Sequence, residues 1–423
     1  MSLPVDGYMT IQETKEGGNL LVYTLYCRVY QHIMKVGSKF IKWRTPILIT
    51  GENSLQQLPD VLLQTAQKRI LIVTDKGIRA TGILDKLCTY LQSASIHYVL
   101  YDKTVPNPTI ENIEGALTMF QQQQCEAIIA LGGGSVIDCA KVVGARYACP
   151  DRPISKMKGQ LKVRVETPPL YAIPTTAGSG SEATLAAVVS DPSTLEKYAI
   201  NDPVLIPNYA LHDPKLIANL PPFMTATTGM DALTHAIEAF IGKSNTKETK
   251  AWSKQAVKLI FESLEQSYVD GENMKARENM QHAAYLAGMA FTRAYVGYVH
   301  AIAHTFGGFY HVPHGLANAI ILPYVLEHYG EAVYDTLAEL ADVVHPVHQA
   351  DSNKAKALGF IKEIKRMSRV MNIPEKLDKI EEEAIPIIIE RALQEANPLY
   401  PVPKIFTKQD MYQLYYQIVD FKT

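Results

Sequence analysis

Between residue 45 and about residue 218, short apolar runs alternate with stretches of helical periodicity; beyond that point the short runs stop. Pro46–Thr50, Ile70–Thr74, Ile96–Tyr101, Ala127–Leu131 and Leu170–Ile173 are apolar without polar alternation, the pattern of strands covered on both faces. Ile110–Gln123 and Val136–Tyr147 read as helices between them. Strands alternating with helices predict an α/β fold, a wound parallel sheet with crossover connections, whose ligands sit beyond the carboxyl ends of the strands. Long helical patterns then take over at Met224–Ile241, Thr246–Tyr268, Lys275–Thr292, Leu316–His328, Glu331–Val344 and Lys354–Met371, predicting an all-helical second domain. With 423 residues the chain is long enough for two domains. Pro221–Pro222, after a loop with Asp213–Pro214, marks the boundary, giving 45–218 and 219–423.

Residues 1–44 read differently. Val22, Tyr26, Val29, Ile33, Val36 and Phe40 recur at steps of three and four, which aligns them on one face of a helix. Arg28, Lys35, Lys39, Lys42 and Arg44 add positive charge. The stripe is expected to pack on the body of the protein or on a partner subunit, although a basic amphipathic helix can also lie on a membrane surface. No catalytic role is assigned to this segment. Its polar start, Met1 to Asn19, is unlike a signal peptide, and no run of 18 apolar residues occurs, so the cytosol is the expected compartment. Five scattered cysteines without a Cys-x-x-Cys pair fit reduced thiols. A net charge of −2 argues against nucleic acid as the main partner.

Gly132-Gly133-Gly134-Ser135 follows the apolar run Ala127–Leu131 and opens a helix. Glycines there let backbone approach a phosphate, and a helix N-terminus offers free N–H groups. The segment lacks the Gly-x-Gly-x-x-Gly fingerprint, and a tight strand-to-helix turn would need the same residues. Pro174-Thr175-Thr176-Ala177-Gly178-Ser179-Gly180-Ser181-Glu182 follows another strand, with hydroxyls and glycines suited to pyrophosphate or ribose. Two such loops on one sheet reach the same crevice, which strengthens both. Asp75 ends the strand Ile70–Thr74. A carboxylate there can bond ribose hydroxyls and repel a 2′-phosphate, favouring NAD over NADP; a helix N-cap is the structural alternative.

Asp231 and His235 stand four apart, on one helix face. Four of the twelve histidines, His300, His304, His311 and His314, fall within fifteen residues. Two helices presenting such groups can close on one divalent ion, and neutral imidazoles with one carboxylate suit Fe²⁺ or Zn²⁺. Spacing alone does not choose among the histidines.

Together these residues resemble the iron-containing, or group III, alcohol dehydrogenases over about 45–423. The resemblance rests on Pro106-Asn107-Pro108-Thr109, on Gly132–Ser135 with Asp138 and Lys141, on Pro174–Glu182, on Gly229–Glu238 and on His300–Gly315. It implies a Rossmann-like domain followed by a helical metal-binding domain, the layout also seen in dehydroquinate synthase-like enzymes. By that likeness the metal ligands are Asp231, His235, His300 and His314, and His304 is a proton-relay residue beside the nicotinamide. Asp75, Asn107, Gly133, Gly134, Ser135, Asp138, Thr175, Thr176, Ser179 and Lys197 are the implied NAD contacts, and Phe291 lines the pocket. The family commonly forms dimers. The extension of about 44 residues is the departure.

The expected reaction is hydride transfer between a small alcohol, or its aldehyde or ketone, and NAD, with Fe²⁺ (or Zn²⁺) acidifying the alcohol. Two alternatives stand beside it: a dehydroquinate synthase-like or glycerol dehydrogenase-like NAD and metal enzyme, and a membrane-associated structural protein with a retired site.

Overall fold

The computed structural model describes residues 18–194, 196–344 and 352–422, so residues 1–17 of the N-terminal segment lie outside it. Helix α1 (Gly18–Ser38) precedes an alternating region: β1 (Ile47–Thr50), α2 (Leu58–Gln64), β2 (Arg69–Val73), α3 (Lys76–Ala80), α4 (Ile83–Ser93), β3 (His97–Tyr101), α5 (Ile110–Gln122), β4 (Ala127–Gly132) and α6 (Gly134–Ala148). The chain continues through β5 (Gly159–Gln160), β6 (Leu170–Pro174), β7 (Ala186–Asp191), β8 (Glu196–Asn201) and β9 (Tyr209–His212). The helical part holds α7 (Pro222–Ile241), α8 (Lys247–Val269), α9 (Met274–Ala294), α10 (Tyr298–Tyr310), α11 (His314–Tyr329), α12 (Tyr334–Val344) and α13 (Asn353–Val370). It closes with β10 (Leu377–Ile380), α14 (Ile385–Ala396), α15 (Lys408–Ile418) and β11 (Val419–Phe421).

Six strands form one parallel sheet in the order β1-β9-β6-β4-β2-β3. Both faces are covered, which is why the strands read as unbroken apolar runs. Leu71 and Val73 of β2, with Ile128 and Ala130 of β4, face one core built on α5 and α6. Ile70, Ile72, Ala127 and Ile129 face the other, with Leu62 of α2 and Leu87 of α4. From β2 the chain moves to β3 on one side and then to β4 on the other. The order therefore reverses at the β2/β4 junction, the crevice where such sheets bind ligands. The Thr74 hydroxyl donates to the Leu131 carbonyl at 2.7 Å and ties these two strand ends together.

In the helical part α7 is the axis. Every residue from Asp231 to Ile241 is buried, so the helix is enclosed on all sides by its neighbours.

Three expectations change. The second half is not purely helical: β10 and β11 pair in parallel, with Leu377 and Ile380 buried at either end of exposed Asp378 and Lys379. Four residues with an interrupted apolar pattern carry too little period to read as a strand. A second sheet, β5-β8-β7, stands beside the main one and was not anticipated. The third change concerns α1. Of the two packings expected for its apolar stripe, on the body or on a partner subunit, the first does not occur: Val22, Tyr26, Val29, Ile33, Val36 and Phe40 are all exposed. The opposite face docks, burying Cys27 and Gln31.

Candidate active site

The crevice at the β2/β4 junction is lined by the anticipated loops. Gly133 is the N-cap of α6, so the first free N–H groups of that helix open beyond β4. The Thr175 amide donates to the Gly132 carbonyl at 3.0 Å, carrying the second loop alongside the first. A Cβ at Gly134 would stand 2.8 Å from Ser179 Oγ, so the two loops approach more closely than a side chain permits. Asn107, with φ of 55°, donates its amide N–H to Ser135 Oγ at 3.1 Å and brings the Pro106–Pro108 turn to the same place. The second loop also meets the helical part: Gly180, at φ +59°, lies where a Cβ would come within 2.5 Å of the Ala284 carbonyl on α9.

Asp75 takes the structural role weighed for it, and Asp138 does more locally than the sequence indicated. Asp75 caps α3, its Oδ1 accepting from the Ile78 amide at 2.9 Å, and that is its carboxylate's only bond among the described residues. Asp138 has both oxygens engaged, by the Ser181 hydroxyl at 2.6 Å and the Val188 amide at 3.0 Å. Burial pushes its carboxyl above the ordinary range, with Lys141 the main opposing influence. Lys197, on β8, sits 3.9 Å from the Cβ position of Gly307 on α10. Burial lowers its ammonium pKa, opposed by Asp138, Glu395 and Asp231. It thus joins the crevice to the histidine side.

There Asp231 and His235 from α7, His300 from α10 and His314 from α11 offer ligand atoms that all lie within 4.8 Å of one another. His311 ends α10 in a left-handed conformation and is exposed, outside this group. Burial, with His300 beside it, drives His235 well below the ordinary imidazole range. Burial, with His304 and His300, does the same to His314. Both shifts favour the neutral imidazole, the form that offers a lone pair to a cation. Burial also raises Asp231, opposed by His300. For His300 burial is outweighed by the Glu238 carboxylate, which holds Nδ1 at 2.6 Å and lifts the pKa above the ordinary value. Glu238 is itself fixed by the Gly297 and Val299 amides, each at 2.8 Å. A carboxylate on Nδ1 sets the tautomer and leaves Nε2 as the donor atom.

The fit to a cation can be read from Asn318. Its amide nitrogen stands 2.6 Å from Asp231 Oδ1, 3.1 Å from His314 Nε2 and 3.3 Å from His300 Nε2. Three acceptors thus converge on one electropositive group, while the buried Asn318 carbonyl oxygen has no partner. Three imidazoles and a carboxylate aimed at one point are the donor chemistry of Fe²⁺ or Zn²⁺.

His304 lies beside this set, stacked on His314 with centroids 5.1 Å apart. Its Nδ1 is held by Glu395 Oε1 at 2.6 Å, and Tyr400 donates to the same oxygen at 2.9 Å. Phe291 stacks on His235 at 4.2 Å. Glu238, Asn318 and Glu395 received no role from the sequence. Glu238 stood three residues from His235 and Asn318 four from His314, spacings that share a helix face. Glu395 gave no signal, being 91 residues from His304.

A switch-point crevice lined by two glycine-rich loops and facing one carboxylate and three imidazoles is the layout of a nucleotide- and metal-dependent enzyme. Residues 45–214 match the family model for iron-containing alcohol dehydrogenase, and residues 225–419 match the C-terminal model of the Fe-containing alcohol dehydrogenase family. The chain belongs to the iron-containing alcohol dehydrogenase family. It is 37% identical over 370 residues to alcohol dehydrogenase 4 of Saccharomyces cerevisiae, covering 86% of this chain and 95% of that protein. It is 36% identical to 1,3-propanediol dehydrogenase of Klebsiella pneumoniae over 82% of this chain and 90% of that one. A crystal structure of 1,3-propanediol oxidoreductase superposes with a TM-score of 0.85 at 34% identity, over 90% of this chain and 100% of that chain. The chain is therefore an NAD-dependent, iron-containing enzyme that interconverts alcohols and aldehydes. Phosphate elimination and a retired site lose their support.

Proposed function

We propose that Asp231, His235, His300 and His314 hold the iron, and that the substrate is a small primary or secondary alcohol, or its aldehyde or ketone. The observation that carries this reading is the convergence of four donors within 4.8 Å, with Glu238 fixing His300 behind them. The bound iron supplies a Lewis acid that lowers the pKa of an alcohol oxygen, and NAD accepts or returns the hydride. The chain's residues then divide the work. Gly133, Gly134 and Ser135 take the pyrophosphate on backbone N–H groups at the start of α6. Thr175, Thr176 and Ser179 add polar contacts from the second loop, with Asn107 and Lys197 at its flanks. Asp138 keeps the two loops together through Ser181. Asp75 bonds the ribose hydroxyls with the oxygen that does not cap α3 and disfavours a 2′-phosphate. Phe291 walls the pocket. His304, fixed through Nδ1 by Glu395, carries the proton on its other nitrogen.

The reading extends to three coarser points. The division near residue 218 into a dinucleotide part and a metal part is supported by the limits of the two family models, 214 and 225. A cytosolic location is supported by five unpaired cysteines; no described helix is long and apolar enough to cross a membrane. The working unit is a homodimer.

The test is to purify the protein under reducing, anaerobic conditions, measure bound metal, and follow NADH and NADPH with short alcohols and aldehydes. Metal-dependent turnover with NADH preferred is the expected result. Preference for NADPH would remove the Asp75 assignment alone. Metal without turnover on any simple alcohol would overturn the substrate class.

A further inference from the structure

The open face of α1 is unlike the rest of the surface. Val22, Tyr26, Val29, Ile33 and Val36, with Phe40 in the hydrogen-bonded turn just past the helix, are 40–85% exposed. Their steps of four, three, four, three and four residues are the heptad period of a helix that pairs with another helix. The helix is fixed to the body by its other side. Arg28 donates to the carbonyls of Val402 at 2.7 Å and Pro403 at 3.0 Å. Gln31 donates to Tyr400 and Pro398, and Lys35 to Lys243. The seam is therefore held outward, not left over from a helix that failed to dock.

The occupant follows from charge, area and symmetry. Helix α1 has no acidic residue; Lys39 and Lys42 are exposed just past one end of it, but the cations along it, Arg28 and Lys35, are turned into body carbonyls. A lipid surface would need those cations free for phosphates. With Leu21 and Leu25 beside it, the seam exposes on the order of 900 Å² of apolar surface, comparable with the ~800 Å² per partner of a standard interface. The seam is also symmetric in sequence: Val22 and Phe40, Tyr26 and Val36, Val29 and Ile33 are each equidistant from residue 31. Antiparallel pairing of two copies then places one valine against one larger side chain in every layer, at nearly constant width. Parallel pairing would oppose Phe40 to Phe40 and Val22 to Val22. We propose that this face is a homotypic interface, in which α1 of one copy lies antiparallel on α1 of a second copy, closed by a two-fold axis near residue 31. It is independent of the chemistry assigned to the active site.

The test uses the full chain and its mass in solution by light scattering. The double variant V29E/I33E, on exposed positions far from the site, is expected to halve the wild-type mass with unchanged circular dichroism and turnover. An unchanged mass, or a monomeric wild type, would overturn the proposal. Orientation is read by oxidation. V29C/I33C cross-links between chains when the pairing is antiparallel, whereas cross-linking by V29C alone to the same extent would overturn that register. Vesicles of phosphatidylcholine and phosphatidylserine supply the remaining arm. Co-sedimentation of the wild type, abolished in V29E/I33E without any change of mass, would assign the face to lipid and refute the homotypic pairing.

Discussion

The two walls of the catalytic cleft are made by opposite means. The nucleotide wall is built by leaving side chains out, at Gly133 and Gly134, so that backbone N–H groups face the crevice. The metal wall is built by burying groups that resist burial, and three of its residues are compensated, His300 by Glu238, Asp231 by Asn318 and His304 by Glu395, while His235 Nδ1 has no partner among the described residues. The first wall tolerates no addition and the second no deletion. A backbone site is damaged by a new methyl, while a side-chain site fails when one member of a satisfied set is removed and the rest remain buried.

That contrast is open to measurement, beginning with its largest consequence. His300→Ala should abolish both bound metal and turnover; a variant that kept metal at wild-type stoichiometry would remove His300 from the donor set. Glu238→Gln leaves all four donors and changes only the anchor of one. Metal affinity should fall about 10–100-fold in a chelator competition, and an unaltered affinity would reduce Glu238 to a packing residue.

Asp410 serves as the comparison for carboxylates away from the cleft. Burial works against its charge, but the Thr407 amide and hydroxyl, Lys404 and His328 outweigh it and hold the pKa at about 2, below its ordinary 3.8. A depressed folded pKa means that its stabilisation is present above pH ~4 and is lost as pH falls through about 2. Asp410→Asn should therefore cost on the order of 2 kcal/mol at neutral pH, and acid unfolding curves of the two proteins should converge below pH 2. No change in metal content is expected. Curves that stay parallel to pH 2 would contradict this assignment.

The smallest expected effect tests the other wall. A Cβ at Gly133 would lie 3.5 Å from Thr176 Cγ2, an ordinary contact, and the residue's φ of −75° suits alanine. Gly133→Ala should leave the melting temperature unchanged and raise KM for NAD about tenfold, or ~1.4 kcal/mol. A lower melting temperature with normal KM would make the glycine a folding requirement only.

Much of this was legible because burial on both sheet faces turns strands into unbroken apolar runs, as at Ile70–Val73 and Ala127–Leu131. Strand β9 was missed because Tyr209–His212 holds no β-branched residue and only Ala210 and Leu211 as an aliphatic pair, unlike the Ile47–Ile49 run of β1. The β7–β8 hairpin was missed because its residues alternate between buried and half-exposed, a weak signal over six positions. Donor pairs four apart could be seen on one helix, whereas Glu395 reaches His304 only through the tertiary fold. For α1 the periodicity indicated which residues share a face, but not which face turns inward. That was decided by the carbonyls of Pro398, Val402 and Pro403, which need donors that Arg28 and Gln31 supply and a valine stripe does not.

This mode of attachment has a consequence for how such a chain can arise. Carbonyl oxygens are present whatever the sequence of the receiving segment, so a helix moored by Arg28, Gln31 and Lys35 makes no demand on the side chains beneath those bonds. Side-chain fit is asked around Cys27 and Tyr23, which pack into the helical core, so a helix appended to an existing enzyme must match its host there and not at the mooring carbonyls.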